Sequence, residues 1–275
     1  MQHGRPYLVN CSILFAEFPL LQRPAAAKAA GFDAVEFWWP FPAAAPDDAE
    51  VDEFVAAVKD AGVQLVGLNF AAGDMPGGDR GLLSWSGRDA EFRDSVEIAV
   101  GIADQLGTQA FNALYGNRMD ETTADEQDDL AATNLAFAAD AAGRVGAVVL
   151  LEPVSGSPSY PLLSAADAVA AIERVERASG ADNLRLLADL YHLSVNDDDL
   201  DEVVASHAGR VGHVQIADAP GRHEPGTGEL DLDRHLGALE RVGYTGWVGL
   251  EYTPSTSTEE SLRWLPRERR AARQP

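Results

Sequence analysis

The chain has 275 residues, 46% of them hydrophobic, and carries a formal net charge of -23 with a single cysteine, Cys11. Such charge repels phosphate backbones and speaks against a nucleic-acid partner, no apolar run approaches the roughly 20 residues of a membrane helix, and one cysteine excludes an internal disulfide framework. The opening Met-Gln-His-Gly-Arg-Pro-Tyr has no signal-peptide apolar region, so the expectation is a cytoplasmic protein that meets neither nucleic acid nor membrane.

Strand-like runs recur near residues 7–14, 33–38, 64–70, 108–114, 147–152, 184–190, 211–217 and 246–252. The later runs are short, rich in β-branched residues and leucine, and bounded by Gly, Pro or Asp, as strands buried on both faces of a parallel sheet should be. Helical spacing between them predicts helices over Ala25–Ala30, Val51–Ala61, Phe92–Leu106, Leu130–Gly143, Ala165–Ala178, Leu200–His207, Leu232–Val242 and Glu259–Trp264. Gly31, Gly62, Gly107 and Gly243 stand just before the next strand, where a left-handed cap is favoured. The stretches Pro42–Glu50 and Met119–Asp129 read as loops or helix starts rather than domain boundaries. This alternation requires parallel strands with right-handed crossovers. It predicts one closed (β/α)8 TIM barrel over residues 1–275, an α/β architecture whose usual length is about 250 residues.

The cations narrow the chemistry. Lys28 and Lys59 are the only lysines, and both fall in helical segments well before a strand end, which removes Schiff-base and phosphate-gripping lysines as mechanisms. Arg267, Arg269, Arg270 and Arg273 crowd the C-terminal tail, which is expected to be a solvated end.

In such barrels the chemistry sits at the C-terminal ends of the strands. Glu152, Asp189 and Glu251 close three apolar runs there, and His213 and Gln215, two residues apart, share one side of the seventh strand while Val214 and Ile216 take the other. Carboxylates buried together need a compensating cation, so a divalent metal site is the simplest explanation. Three carboxylates with a glutamine oxygen form a hard donor set suited to Mg²⁺ or Mn²⁺. His213 as the ligand would instead draw the site toward a transition metal, and pairing with barrel arginines or waters is the reading without a metal. His192 follows Asp189 by three residues, where the sixth strand gives way to its loop, and can reach the same pocket to hydrogen-bond a substrate oxygen. Glu36, Asn69 and Asn112, on the second to fourth strands, are further candidates for the pocket wall, whereas His3, His207 and His235 read as surface or helix residues without a function. The loop Asp218–Glu229 could cradle a phosphate on its glycines. With Glu224 and Glu229 flanking it and no lysine, the preferred reading is a substrate-covering loop in which Arg222 grips a carboxylate, a surface arginine being the alternative.

The segments Ala34-Val35-Glu36-Phe37, Leu68 to Asp74, Gly87 to Arg93, Leu151-Glu152-Pro153, Asp189-Leu190-Tyr191-His192, Gly212 to Asp218, Glu224 to Glu229 and Gly246 to Tyr252 form an ordered set from about Asn10 to Trp264. As a set they resemble the hydroxypyruvate isomerase family of the xylose isomerase-like barrels. The resemblance implies that Glu152 and Glu251 are the catalytic pair and that, with Asp189 and Gln215, they hold one divalent metal, Mg²⁺ or Mn²⁺. It further implies aldose-ketose isomerisation of a small hydroxy-oxo acid, hydroxypyruvate to tartronate semialdehyde, through an enediolate that the metal stabilises. One glutamate would remove the proton and the other return it, with His192 and Arg222 orienting the substrate and Asn69 and His213 completing its site. The same residues would serve a 2-oxo-tetronate isomerase or a ketose 3-epimerase. A zinc-dependent abasic-site endonuclease needs more histidine ligands than can be placed, and a non-catalytic sugar-acid binder would catalyse no proton exchange. Cys11-Ser12 and the loop Pro40 to Pro46 depart from the family's pattern at the pocket rim. The expected partner is a small molecule, with room for a homo-oligomer.

Overall fold

Short runs of Val, Leu, Phe and Ala can satisfy their buried backbones only by pairing with one another. In the computed structural model, which describes residues 3–271, they do so in chain order as a closed parallel barrel. The strands are β1 (Tyr7–Asn10), β2 (Ala34–Phe37), β3 (Gln64–Asn69), β4 (Ala110–Asn112), β5 (Val148–Leu151), β6 (Leu184–Asp189), β7 (Val211–Ile216) and β8 (Val248–Leu250). β1 closes the ring on β8, with Tyr7 beside Val248 and Val9 beside Leu250. Around it lie α1 (Arg23–Ala29), α2 (Asp48–Ala61), α3 (Asp89–Leu106), α4 (Ala124–Gly143), α5 (Ala165–Ser179), α6 (Leu190–Val195), α7 (Leu200–His207), α8 (Leu232–Arg241) and α9 (Thr258–Ser261). No described helix is long and apolar enough to cross a membrane.

Strand alternation sorts the side chains. Val9, Val35, Phe111, Val149, Val214 and Ile216 join the large core shared with the helices. Leu8, Ala34 and Val66 form one small apolar cluster and Ala110, Leu150 and Leu187 another, which are the inward rows. Two residues further along those rows stand Asn10, Glu36, Asn112, Glu152 and Asp189, all buried. The barrel is therefore apolar at its base and polar at its C-terminal mouth.

Several elements differ from their sequence expectation for identifiable reasons. β1 and β4 stop at Asn10 and Asn112: Cys11 and Ala113 still donate to the Glu36 and Leu150 carbonyls of the neighbouring strands, but beyond them the chain turns into rim loops that bury Leu14 and Leu114. α4 starts six residues before Leu130, since Thr123 and Glu126 close a capping box, and Asp47 with Glu50 starts α2 in the same way. The glycine caps behave as expected at Gly62 and Gly107, both left-handed. α6 was not anticipated, because Asp189 ends β6 and caps this short helix at once. The described part of the tail is exposed to half-buried, yet it is fastened down. Arg267, Arg269 and Arg270 donate to the carbonyls of Ala29, His3 and Ala30, and Arg270 also reaches Leu262 and Leu265, so the arginines tie the tail to the end of α1. Arg273 lies outside the described residues. His3 is not a surface residue either; it is buried with Nε2 2.7 Å from the Tyr7 hydroxyl.

Candidate active site

The polar mouth is built from its floor upward. Glu36 occupies the centre, with Oε2 2.7 Å from His213 Nε2 and Oε1 accepting from Gln215 Nε2 at 2.8 Å and Asn10 Nδ2 at 3.3 Å. Gly249 makes this possible, because a Cβ there would come within 2.7 Å of Glu36 Oε1. Since the Gln215 amide spends its NH₂ on Glu36, its orientation is fixed. Its Oε1 is buried without a hydrogen-bond partner. Asp189, its register neighbour on β6, is in the same condition. One oxygen, Oδ1, accepts from the backbone N–H groups of Tyr191 and His192 at 2.8 and 3.3 Å, and the other, Oδ2, has no hydrogen-bond partner among the described residues.

Glu152 and Glu251 follow β5 and β8 directly. Glu152 Oε2 accepts a single side-chain bond, from Asn112 Nδ2 at 2.7 Å. Glu251 is better served: Trp38 Nε1 and Asn10 Nδ2 donate to Oε1 at 2.6 and 2.9 Å, and Arg222 Nη2 donates to Oε2 at 2.7 Å. Burial pushes the Glu251 carboxyl up to about 8 although Arg222 pulls the other way. Glu152 is raised too, by burial first and then by the negative charges of Glu251 and Asp189. Both glutamates are thus held at a cost that a cation would relieve.

His192 sits on α6, in the first turn after Asp189, rather than in a loop. Its Nδ1 accepts from the Ser155 backbone N–H at 3.0 Å, so the neutral ring carries its proton on Nε2. That nitrogen lies 4.0 Å from Glu152 Oε1 and 3.8 Å from Asp189 Oδ2. Burial keeps the ring neutral by lowering its pKa to about 4. One ligand atom from each of Glu152, Asp189, His192 and Glu251 lies within 4.8 Å of the others, a buried cluster that could hold a metal ion. The two orphaned oxygens, Asp189 Oδ2 and Gln215 Oε1, fit a hard cation better than any protein donor present. With its proton on Nε2, His192 is a hydrogen-bond donor rather than a ligand.

A cavity of about 1020 Å³ opens above the cluster, and Glu152, Glu251, His192, Arg222 and Asn69 all line it. His213 does not; it stays beneath, on Glu36. Arg222 enters from the β7–α8 loop at a positive φ of 58° and lies 3.9 Å from Asp189 Oδ2 besides its bond to Glu251. Of the loop glycines, Gly226 spends its N–H on the Asp218 carboxylate at 2.7 Å, inside the loop itself. The sequence reading missed Asn10, Trp38 and Ser155. Asn10 closes β1 as Glu36 and Asn69 close theirs, so the strand-end rule applied there would have found it. Trp38 and Ser155 lie in loops and carry no comparable signal.

The sequence pattern of the xylose isomerase-like TIM barrels matches residues 24–268. A Streptomyces coelicolor protein provisionally named hydroxypyruvate isomerase is 53% identical over 96% of this chain and 97% of its own. The 2-oxo-tetronate isomerase of Cupriavidus necator is 35% identical over 94% of this chain and 96% of its own. A solved structure from Brucella melitensis, titled AP endonuclease, family 2, superposes with a TM-score of 0.84 at 36% identity, covering 95% of this chain and 98% of that one. With its barrel, its strand-end carboxylates and these relatives, the chain belongs to the hydroxypyruvate isomerase family of the xylose isomerase-like TIM barrels, and it is an isomerase.

Proposed function

We propose that the protein is a metal-dependent aldose-ketose isomerase of a small hydroxy-oxo acid, converting hydroxypyruvate to tartronate semialdehyde. The observation that carries this reading is the pair of buried oxygens left without a hydrogen bond, Asp189 Oδ2 and Gln215 Oε1, beside two glutamates whose carboxyls burial has raised. Glu152, Asp189, Gln215 and Glu251 would hold the cation, and the all-oxygen set favours Mg²⁺ or Mn²⁺. Bound there, the cation supplies Lewis-acid stabilisation of the negative charge that develops on adjacent substrate oxygens.

The remaining chemistry belongs to the chain. One of the two glutamates takes the proton from the hydroxyl-bearing carbon and the other returns a proton to its neighbour. His192, held as a donor by Ser155, gives its Nε2–H to a substrate oxygen. Arg222 keeps Glu251 in place and, with Asn69, lines the wall of the same pocket. His213 acts from below by holding Glu36. The cluster offers a single histidine among the described residues, which speaks against a site for several zinc ions. A second reading, isomerisation of the four-carbon 2-oxo-tetronate, is favoured by the room in a cavity of about 1020 Å³ and by the relative named for that activity. The test is kinetic. Glu152→Gln and Glu251→Gln, folded by circular dichroism, should each lose about 10²- to 10⁴-fold in kcat on hydroxypyruvate or 2-oxo-tetronate. Wild-type turnover by either variant would refute the two-glutamate mechanism.

A further inference from the structure

Three arginines line the cavity, and two are committed. Arg222 donates to Glu251, and Arg88 pairs with Glu91 at 2.7 Å and Asp79 at 3.3 Å. Arg80, on the loop between β3 and α3, has no carboxylate partner among the described residues. Its Nη1 donates to the carbonyls of Met75 and Asp79 at 3.0 and 2.7 Å, and its Nε and Nη2 bond to no described residue. These two bonds orient the guanidinium and leave the other edge of its fork open. The backbone beneath it is also fixed. Gly116 N–H donates to the Arg80 carbonyl and Gly81 N–H to Ala72, both at 3.0 Å, and Ser84 N–H reaches Tyr115 at 2.9 Å. Gly81, at a φ of +116°, passes so close to the Leu114 carbonyl that a Cβ would collide with it. The loop is thus fastened to the β4–α4 connection with one half-buried arginine facing the cavity. Arg80 is also close enough to His192 to help hold that ring neutral, although burial is the larger cause.

We infer that Arg80 binds the substrate carboxylate and selects oxo acids over neutral sugars, an assignment that rests on the isomerase reading above. The planar fork matches a carboxylate's two oxygens, and an arginine held by carbonyls loses little freedom when the anion arrives. Arg222 cannot fill the role as fully, because part of its fork is already spent on Glu251.

The test compares Arg80→Met and Arg80→Lys with the wild type. D-Glycerate, a three-carbon acid with no oxo group to isomerise, is titrated calorimetrically with and without Mn²⁺. Arg80→Met should raise its dissociation constant about ten- to hundredfold, with Arg80→Lys between, because one charge-assisted pair is lost or weakened. Affinity for Mn²⁺ alone should stay at the wild-type value, since Arg80 touches none of the carboxylate cluster. KM for the oxo acid should rise with the glycerate constant while kcat stays within about threefold, the pattern of lost uniform binding. Wild-type glycerate affinity in Arg80→Met, or a fall in kcat with KM unchanged, would overturn the assignment. Should the wild type bind glycerate through Arg80 and yet isomerise no oxo acid, the anion subsite stands and the proposed reaction falls.

Discussion

Glu36 does not line the large cavity and is proposed to hold no metal, yet it decides what Gln215 can do. Both of its oxygens are engaged, by His213 on one side and by Gln215 and Asn10 on the other, so the Gln215 amide has one orientation. Glu36→Gln puts an NH₂ group where an acceptor is needed and frees that amide to turn. The expected result is a fall in Mn²⁺ affinity of about ten- to hundredfold, as for other residues that orient metal ligands, with the fold intact. Unchanged affinity by calorimetry would show that Glu36 does not set the amide. Glu152, Asp189, Gln215 and Glu251 were legible in the sequence because each interrupts or closes an apolar run with a group that burial penalises. Arg80, Trp38 and Ser155 were not, because loops far apart in sequence bring them to the cavity.

At the scale of elements, the junction of β6 and α6 does two things with one side chain. Asp189 caps α6 through Oδ1 and leaves Oδ2 without a hydrogen bond, the oxygen proposed to meet the cation. The two roles separate by substitution. Asp189→Asn keeps an acceptor for the Tyr191 N–H but removes the charge, whereas Asp189→Ala removes both. Both variants should lose Mn²⁺ binding, and the alanine variant should be the less stable of the two in urea by about 1 kcal/mol, the usual worth of an N-cap. Equal stability would mean that the cap contributes nothing. Element order and type followed from periodicity, but boundaries did not. Buried rim loops imitate strand, as at Cys11 and Leu114, and a helix that begins in acidic residues, as α4 does, has no apolar face in its first turn to announce it.

The molecule as a whole carries a charge of -23 and a barrel mouth that gathers carboxylates without neutralising them all. Glu251 has its carboxyl pushed from an ordinary 4.5 up to about 8, and Glu152 is raised in the same direction. Between about pH 4.5 and 8 the metal-free folded protein therefore keeps protons that the unfolded chain has released, so stability falls as pH rises across that window. A cation displaces those protons. Mn²⁺ should consequently raise Tm more at pH 8 than at pH 5, and an equal increment at both would contradict the raised carboxyls. The closed barrel was legible because eight apolar runs alternate with helical spacing, whereas the anchoring of the tail by Arg267, Arg269 and Arg270 was not, since its acceptors are carbonyls that sequence does not mark. The most direct measurement is proton NMR of hydroxypyruvate in D₂O with metal-stripped protein, before and after adding Mg²⁺ or Mn²⁺. Deuterium entering the hydroxyl-bearing carbon and tartronate semialdehyde appearing only with metal is the predicted result. Exchange that is equally fast without metal, or metal-loaded protein that leaves the protons of both hydroxypyruvate and 2-oxo-tetronate untouched, would contradict it.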